Sequence, residues 1–377
     1  MGYIPGGERE MKYNVEKMIA ELCPTGVLYC EMGKLAQIGT GKSNGNEAED
    51  NGEYPFFIRS PIVKRKNCYE YDEEAIIIPG EGGVGDIFHY INGKYALHQR
   101  VYRIHFTTKD VDTRFMYYYL SANFKVFIQR KAVNATVTSI RKPMIEQVPI
   151  PLHPLPIQQE IVRILDTFTN LTAELTAELT ARRKQYEYYR DELLTFGEDV
   201  DYKTLPEISV NCDRQRKPVT KGKRNSGSYP YYGASGIVDY VSDYIFEGDY
   251  LLISEDGANL LARSTPIAFS ISGKNWVNNH AHVLKFETDV MRKYVEIYLN
   301  SIGLERYISG GAQPKLNQDN LNKIPIPVPE NHRIQTIVDI LTKFDKLCND
   351  LGAGIPAEVS ARQKQYEYYR GKLLRFS

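Results

Sequence analysis

The sequence predicts an α+β fold in which two α/β globular domains are separated and joined by two long helices of coiled-coil character. Three observations carry this reading. The chain has 377 residues, beyond the roughly 250–300 at which a single core stops growing. It contains an internal repeat. An apolar seam of helical period follows each globular stretch.

The repeat is plain in the helical segments. Residues 181–196, ARRKQYEYYRDELLTF, recur at 361–376 as ARQKQYEYYRGKLLRF, with twelve of sixteen positions identical. Upstream, VPIPLHPLPIQQEIVRILDTF (148–168) matches IPIPVPENHRIQTIVDILTKF (324–344) at an offset of 176, where the first pair has 180. Fainter echoes run through the rest: Tyr54-Pro55 against Tyr229-Pro230, AIIIPGEGG against YLLISEDGA, and GKYALHQRVYRIHF against GKNWVNNHAHVLKF. The expected division is a first globular domain at 1–155, a first helix at 156–197, a second globular domain at 198–329 and a second helix at 330–377.

Steps of four and three residues from Ile161 land on Leu165, Phe168, Thr172, Leu175, Leu179, Arg182, Tyr186, Tyr189, Leu193 and Phe196. A seam of that regularity predicts a coiled-coil rod of about 60 Å. The second segment follows Ile337, Leu341, Phe344, Cys348, Leu351 and Ile355, then shifts to Val359 before Tyr366, Tyr369, Leu373 and Phe376. Its four extra residues form a stutter, and Gly352, Gly354 and Pro356 there predict a kink or break. The two tetrads, Tyr186, Tyr189, Leu193, Phe196 and Tyr366, Tyr369, Leu373, Phe376, are expected to pack on one another or to bind partners. Prolines 149, 151, 154 and 156, and again 325, 327 and 329, predict rigid extended exits from the globular domains. Each domain mixes β-rich runs (AIIIPG, YALHQRVYRIHF; DYLLIS, AHVLKFE) with one helical pattern, DTRFMYYYLSANFKVFIQR or DVMRKYVEIYLNSIGLERYI.

Composition narrows the function. Lys plus Arg and Asp plus Glu both total 47, so the global basicity of many nucleic-acid binders is missing. No stretch approaches 18 apolar residues and MGYIPGGEREMKYN has no apolar segment of signal-peptide type, so a cytoplasmic protein without membrane contact is expected. Five scattered cysteines with no C-x-x-C pair read as reduced thiols. AQIGTGKS (36–43) ends like a phosphate-binding loop, but Ala36 stands where its first glycine belongs. The glycine-dense EGGVGD (81–86) reads as a tight turn, and His280 and His282 lack further ligands at metal spacing. No catalytic, metal or cofactor site is expected in this chain.

Basic residues in loops remain. The densest run, DRQRKPVTKGKRN, holds Arg214, Arg216, Lys217, Lys221, Lys223 and Arg224. The first domain offers Lys42, Arg59, Lys64, Arg65, Lys66, Arg100, Lys131, Arg141 and Lys142. Lysine and arginine on loops can follow DNA phosphates, and amide-rich stretches can read base edges. WVNNHAH and AQPKLNQDN therefore add Asn278, His280, Lys315 and Asn317 to the candidates.

The blocks PLPIQQEIVRILDTF…TAELTAELTARRKQYEYYRDELL and PVPENHRIQTIVDILTKFDKL…IPAEVSARQKQYEYYRGKLL resemble the two helical repeats of type I restriction-modification specificity subunits. NVEKMIAELCPTGV and KLAQIGTGKS…YPFFIRS extend the resemblance over residues 12–377. It implies two DNA target-recognition domains related by a pseudo-two-fold repeat, each docked on one half of a split double-stranded target. The helices would pair antiparallel as a spacer, two methyltransferase subunits carrying S-adenosylmethionine would bind around them, and a restriction subunit with ATP, Mg and translocase activity would join. The second segment departs from the first in having His332-Arg333 where Pro156-Ile157 stands, and in lacking the TAEL repeats of 172–179. Two rival readings are a coiled-coil scaffold joining two non-DNA-binding domains, and an NTPase built on Gly41-Lys42-Ser43.

Overall fold

The computed structural model describes residues 15–131, 139–310 and 313–375. It resolves into two compact units, Met1–Thr176 with Glu358–Ser377, and Ala177–Ala357. Among the described residues no helix is long and apolar enough to cross a membrane.

The first unit is built on a six-stranded sheet of β1 (Ala36–Thr40), β2 (Tyr54–Phe57), β3 (Lys64–Lys66), β4 (Tyr71–Pro79), β5 (His89–Leu97) and β6 (Val101–Phe106), in the order β1-β6-β4-β5-β2-β3. Its central strand β4 buries both faces by alternation, as a period of two requires. Ile76 and Ile78 enter the main core with Phe115, Leu120 and Phe124 of helix α1 (Thr113–Lys131), while Ala75 and Ile77 join Phe57, Tyr95 and Leu97 in a smaller core. At the sheet edge, β3 is the all-basic Lys64-Arg65-Lys66, and charge of that kind discourages edge-to-edge pairing.

The second unit repeats this plan. It comprises β7 (Val210–Asn211), β8 (Ser226–Gly233), β9 (Gly236–Val241), β10 (Phe246–Glu247), β11 (Tyr250–Ser254), β12 (Ala268–Ile271), β13 (Lys274–Val277) and β14 (Ala281–Lys285). These form two four-stranded sheets, β7-β14-β11-β12 and β9-β8-β13-β10. On β11, Leu251 and Ile253 face the main core and Tyr250 and Leu252 face the smaller one, the same alternation as in β4. Parallel pairing of Phe56 and Phe57 with Ala96 and Leu97 recurs as Tyr231 and Tyr232 with Trp276 and Val277. Helix α3 (Asp289–Ser301) is capped by Thr288, whose hydroxyl accepts the Met291 amide at 3.1 Å. It ends earlier than the sequence pattern suggested, because Ile302 is extended and Gly303 follows.

The proline stretches form short antiparallel ladders, Pro149–Leu152 with Leu28–Glu31 and Ile326–Pro327 with Tyr202–Lys203. Each ladder has only two strands, so a residue without an N–H is tolerated. Helix α2 (Leu155–Leu193) then runs for 39 residues, about 60 Å at 1.5 Å per residue. Its seam is buried only near the start, at Ile161, Leu165 and Phe168, with Ile157 and Ile164 buried beside it. The second segment is two helices, α4 (Asn331–Asn349) and α5 (Ile355–Leu373), so the glycine-proline stretch is a true break. At Gly354 any Cβ would lie 2.6 Å from the Lys346 carbonyl and 2.8 Å from two others, so no larger residue fits that turn.

The two tetrads pack into different cores, which corrects the expectation that they share a seam. Tyr186, Leu193 and Phe196 pack on the second unit's core with Ile334, Ile337 and Leu341 of α4. Tyr366, Tyr369 and Leu373 pack on the first unit's core with Ile161, Ile164 and Phe168 of α2. Phe376 lies outside the described residues. In the second unit the Arg333 guanidinium covers the Phe196 ring at 4.9 Å and Phe344 lies 5.7 Å from Tyr189, so α4 runs against α2. With opposed directions, the end of each segment packs with the start of the other. The repeat-equivalent rings form equivalent pairs: Phe168 with Tyr369 at 5.3 Å, and Phe344 with Tyr189 at 5.7 Å.

Two outcomes are expected in denaturation experiments. Tyr369 is 6% exposed whereas Tyr189 is 37% exposed. Replacing Tyr369 with Ala should cost about 3 kcal/mol and replacing Tyr189 only about 1; equal losses would contradict the unequal burial. His153 is buried edge-on to Phe115, and burial pushes its pKa down to about 4 from 6.5. The neutral ring is favoured in the folded state, so its contribution is whole above pH 6.5 and lost as pH falls towards about 4. His153→Phe should therefore flatten the decline of melting temperature across that window; an unchanged decline would rule His153 out as its source.

Candidate nucleic-acid interface

In each unit the loops converge on one sharp corner. The sequence read YALHQRVYRIHF as one β-rich run, but the structure breaks it between β5 and β6 at His98-Gln99-Arg100. The His98 amide donates to the Phe57 carbonyl at 3.0 Å, and the Arg100 amide donates to His98 Nδ1 at 3.0 Å. As acceptor, Nδ1 must be unprotonated; burial first, then the charges of Arg59 and Arg100, hold the His98 pKa below its ordinary value and favour that form. The Gly80 amide donates to the Arg100 carbonyl at 2.9 Å, and the Ile140 amide to the Gly80 carbonyl at 2.8 Å. The Arg100 guanidinium then reaches Glu81 at 2.7 Å. Its hydrogen bond lowers the Glu81 pKa despite some desolvation, and Arg59 pairs with the same carboxylate.

The second unit builds the same corner bond for bond. The Asn278 amide donates to the Tyr232 carbonyl at 3.1 Å, and the His280 amide to Asn278 Oδ1 at 2.8 Å. The Glu255 amide donates to the His280 carbonyl at 2.9 Å, and the Leu316 amide to the Glu255 carbonyl at 2.7 Å. His280 Nδ1 lies 2.8 Å from Asp256. The pair Arg100–Glu81 thus becomes His280–Asp256 on one shared backbone. Sequence reasoning selected Arg100 and His280 but missed Glu81 and Asp256. The signal was present, because aligning AIIIPGEGG with YLLISEDGA sets the two acids at one position and aligning the following strands does the same for their bases.

Beside each corner runs the loop that follows the domain's first strand. Ser43 donates its amide to Leu97 at 3.3 Å, and Lys217 donates its amide to Val277 at 3.3 Å. The Gly41-Lys42-Ser43 segment is not a phosphate cradle. The Lys42 amide donates to Glu70 at 2.8 Å, the Ser43 hydroxyl bonds the same carboxylate, and the next element is a 3-10 turn, Gly45–Glu47, rather than an α-helix. Gly82, Gly83 and Gly85 all have positive φ, as the turn reading of EGGVGD requires.

The basic loop of the second unit is pinned rather than free. Trp276 Nε1 donates to the Lys217 carbonyl at 2.6 Å, Tyr231 accepts the Val219 amide at 2.9 Å, and Arg224 bonds Val219 and Asp239 while stacking 4.3 Å from the Tyr231 ring. Arg216 is drawn inward, bonding Glu255 at 2.6 Å, the Ala281 carbonyl at 2.8 Å and Asp213 at 3.2 Å. Asp213 also faces buried His282 at 2.6 Å, and the other ring nitrogen of His282 lies 2.8 Å from the Leu316 carbonyl. Burial raises the Asp213 pKa, but His282, the Val283 amide and Arg216 overcome it and leave the carboxyl below its usual value. His282 is therefore a cross-link, and among the described residues no group of three or more His, Cys, Asp or Glu could hold a metal ion. Arg214, Lys217, Lys221 and Lys223 remain exposed on this framework.

The other candidates divide similarly. Lys42, Lys64 and Arg141 are exposed. Arg65 bonds the carbonyls of Gly52 at 2.6 Å and Glu53 at 2.5 Å, Lys66 pairs with Glu47 at 2.5 Å, and Lys142 lies 3.6 Å from Glu146. Lys315 is exposed and lies 3.2 Å from Glu255, and Asn317 caps the turn Gln318–Leu321 by accepting the Asn320 amide at 2.9 Å. The side chain of Lys131 lies outside the described residues. We expect Arg216→Ala to lower stability by about 3 kcal/mol, because it strands two carboxylates that share its guanidinium. Lys221→Ala should stay within about 0.5 kcal/mol. Urea titration of both variants checks this, and equal effects would mean that Arg216 is not a cross-link.

Comparison with known proteins places this geometry. The type I restriction modification DNA specificity domain matches residues 27–182 and again 197–361. The chain is 35% identical over 287 residues to the specificity subunit of the Escherichia coli type I restriction enzyme EcoR124I/EcoR124II, covering 70% of each protein. It is 32% identical over 241 residues to a putative type I specificity subunit of Mycoplasma pneumoniae, covering 60% of this chain and 95% of that one. The fold is similar to the crystal structure of a type I restriction-modification S subunit from M. genitalium, with a TM-score of 0.64 at 18% identity over 93% of this chain and 96% of the other. Two matched domains, together filling most of a chain whose corners repeat bond for bond, place it in one group: the protein belongs to the family of type I restriction-modification DNA specificity subunits.

Proposed function

We propose that this chain reads a split double-stranded DNA target, one half-site per unit, and performs no chemistry of its own. The observation that carries the reading is the pair of corners, which keep one backbone while changing the side chains they present. Residues that support the corner are alike in kind, such as Phe57 and Tyr232 or Leu97 and Val277, whereas Arg100 and His280, or Arg141 and Asn317, differ. That is what two unlike half-sites demand of one duplicated fold. Exposed Lys42, Arg214, Lys217, Lys221 and Lys223 would follow phosphates beside it, and their attraction to DNA is local, so a formal net charge of zero is no obstacle.

In the same reading, α2 with α4 and α5 forms an antiparallel spacer around which two methyltransferase subunits assemble, joined by a restriction subunit, in the cytoplasm. S-adenosylmethionine, ATP and Mg belong on those partners. The TAEL copies at 172–175 and 176–179 act as the ruler, with Leu175 and Leu179 half-buried and Thr172 and Thr176 bonding carbonyls one turn back at 2.8 and 2.7 Å. One further TAEL adds about 6 Å of rise and turns the helix end by roughly 40° beyond a full circle. A base pair adds about 3.4 Å and a turn of roughly 34–36°. The rotations nearly match, so the half-sites should stay the same while their gap grows by one pair. Mapping methylated sites in cells carrying the complete system tests both statements. A single undivided motif in the parent would overturn the split-target reading, and an unchanged gap after insertion would overturn the ruler.

A further inference from the structure

We infer that Arg100 and His280 are the specificity-determining residues of their two half-sites, and that Glu81 and Asp256 are the positioning residues that aim them; this rests on the split-target reading above. The two bases occupy one structural position. Each lies two residues after one whose side chain accepts its backbone amide, at 3.0 Å in the first unit and 2.8 Å in the second. Each gives its carbonyl to the loop that carries its acid, at 2.9 Å in both units. With backbone bonded on both sides, the corner cannot bend to suit a new ligand, and the side chain alone can change what it touches.

The chemistry favours base edges over phosphates. A carboxylate within hydrogen-bond distance offsets part of the attraction of the base for a phosphate, although Glu81 is shared with Arg59, whereas the edge of a base pair in the major groove offers donors as well as acceptors. Arg100 is 58% exposed at its side chain despite its bond to Glu81, and His280 is 51% exposed despite its bond to Asp256, so both can reach outward while tethered. The guanidinium has a planar fork of five donors, and a fork held on one side by Glu81 still offers the pair of N–H groups that matches guanine O6 and N7. His280 turns Nδ1 to Asp256 and leaves Nε2 alone, one hydrogen bond in place of two. The first unit should therefore be strict about one base, and the second more permissive at its matching position.

The test uses the assembled complex of this chain with its methyltransferase subunits and a panel of duplexes in which each base pair of both half-sites is changed in turn. For the parent, one position in the first half-site should show a penalty of about tenfold or more on losing its guanine, with a smaller penalty at one position of the second. Arg100→Ala should abolish the first penalty and leave every other intact, and His280→Ala should do the same for the second. Glu81→Gln should reduce the penalty at the Arg100 position selectively, which a merely structural carboxylate would not do. Uniform weakening across all duplexes, or a full set of penalties surviving in Arg100→Ala, would overturn the assignment. A parent complex with no half-site penalties at all would instead overturn the split-target reading.

Discussion

Each globular unit depends on aromatic packing supplied by a distant part of the chain. The first unit's core, built around Ile76, Ile78 and Phe115, also takes in Tyr369, Leu373 and Leu374, distant in sequence. The second, around Leu251, Ile253 and Tyr294, is closed by Tyr186, Leu193 and Phe196 from the end of α2. Burying such side chains stabilises by about 1.5–3 kcal/mol each, a large share of what holds a domain together. The first unit is thus not a continuous stretch of sequence, because its core takes residues from both Met1–Thr176 and Glu358–Ser377, and the helices are parts of the cores as well as connectors. The Asp166 carboxylate on α2 extends this anchoring, accepting from Arg114 at 2.9 Å and from the Tyr118 hydroxyl.

That closure gives the corners a rigid base. Their strands lie at the centre of each fold, where β4 and β11 are buried on both faces, and a corner hung from buried strands moves little. Binding specificity needs such preorganisation, because a side chain that must be ordered on binding gives up part of its contact energy. The duplication then supplies two rigid mounts of one design. The hydrogen bonds that hold each corner are all internal to its own unit.

The electrostatics follow the same division of labour. Much of the charge that looked available for DNA in the sequence is spent inside the protein. Arg216 joins two acids and a carbonyl, Arg224 ties its loop to Asp239, and Lys66 pins Glu47 beside Ser43. These internal pairs order the loops on which the exposed Arg214, Lys217, Lys221 and Lys223 ride. A loop so braced loses less entropy when it meets a polyanion than a flexible one would. The neutral total charge is therefore compatible with a strongly basic face, because the acids are matched locally by the bases they hold.

The sequence by itself determined the duplication, the helical character of the two repeated segments, the interruption at Gly352–Pro356 and the family, because these are written in local periodicity and in repeated words such as KQYEYYR. It also carried the frame of both corners, visible once the repeats are aligned residue by residue. Only the tertiary structure decided which tetrad closes which core, that Arg216 and Arg224 turn inward while their neighbours stay exposed, and that Arg100 and His280 each meet an acid. Those outcomes depend on pairs such as Phe168 with Tyr369 and Arg216 with Glu255. Residues that far apart in the chain are brought together by strand order and helix direction, and spacing along one sequence does not encode a distance across a fold.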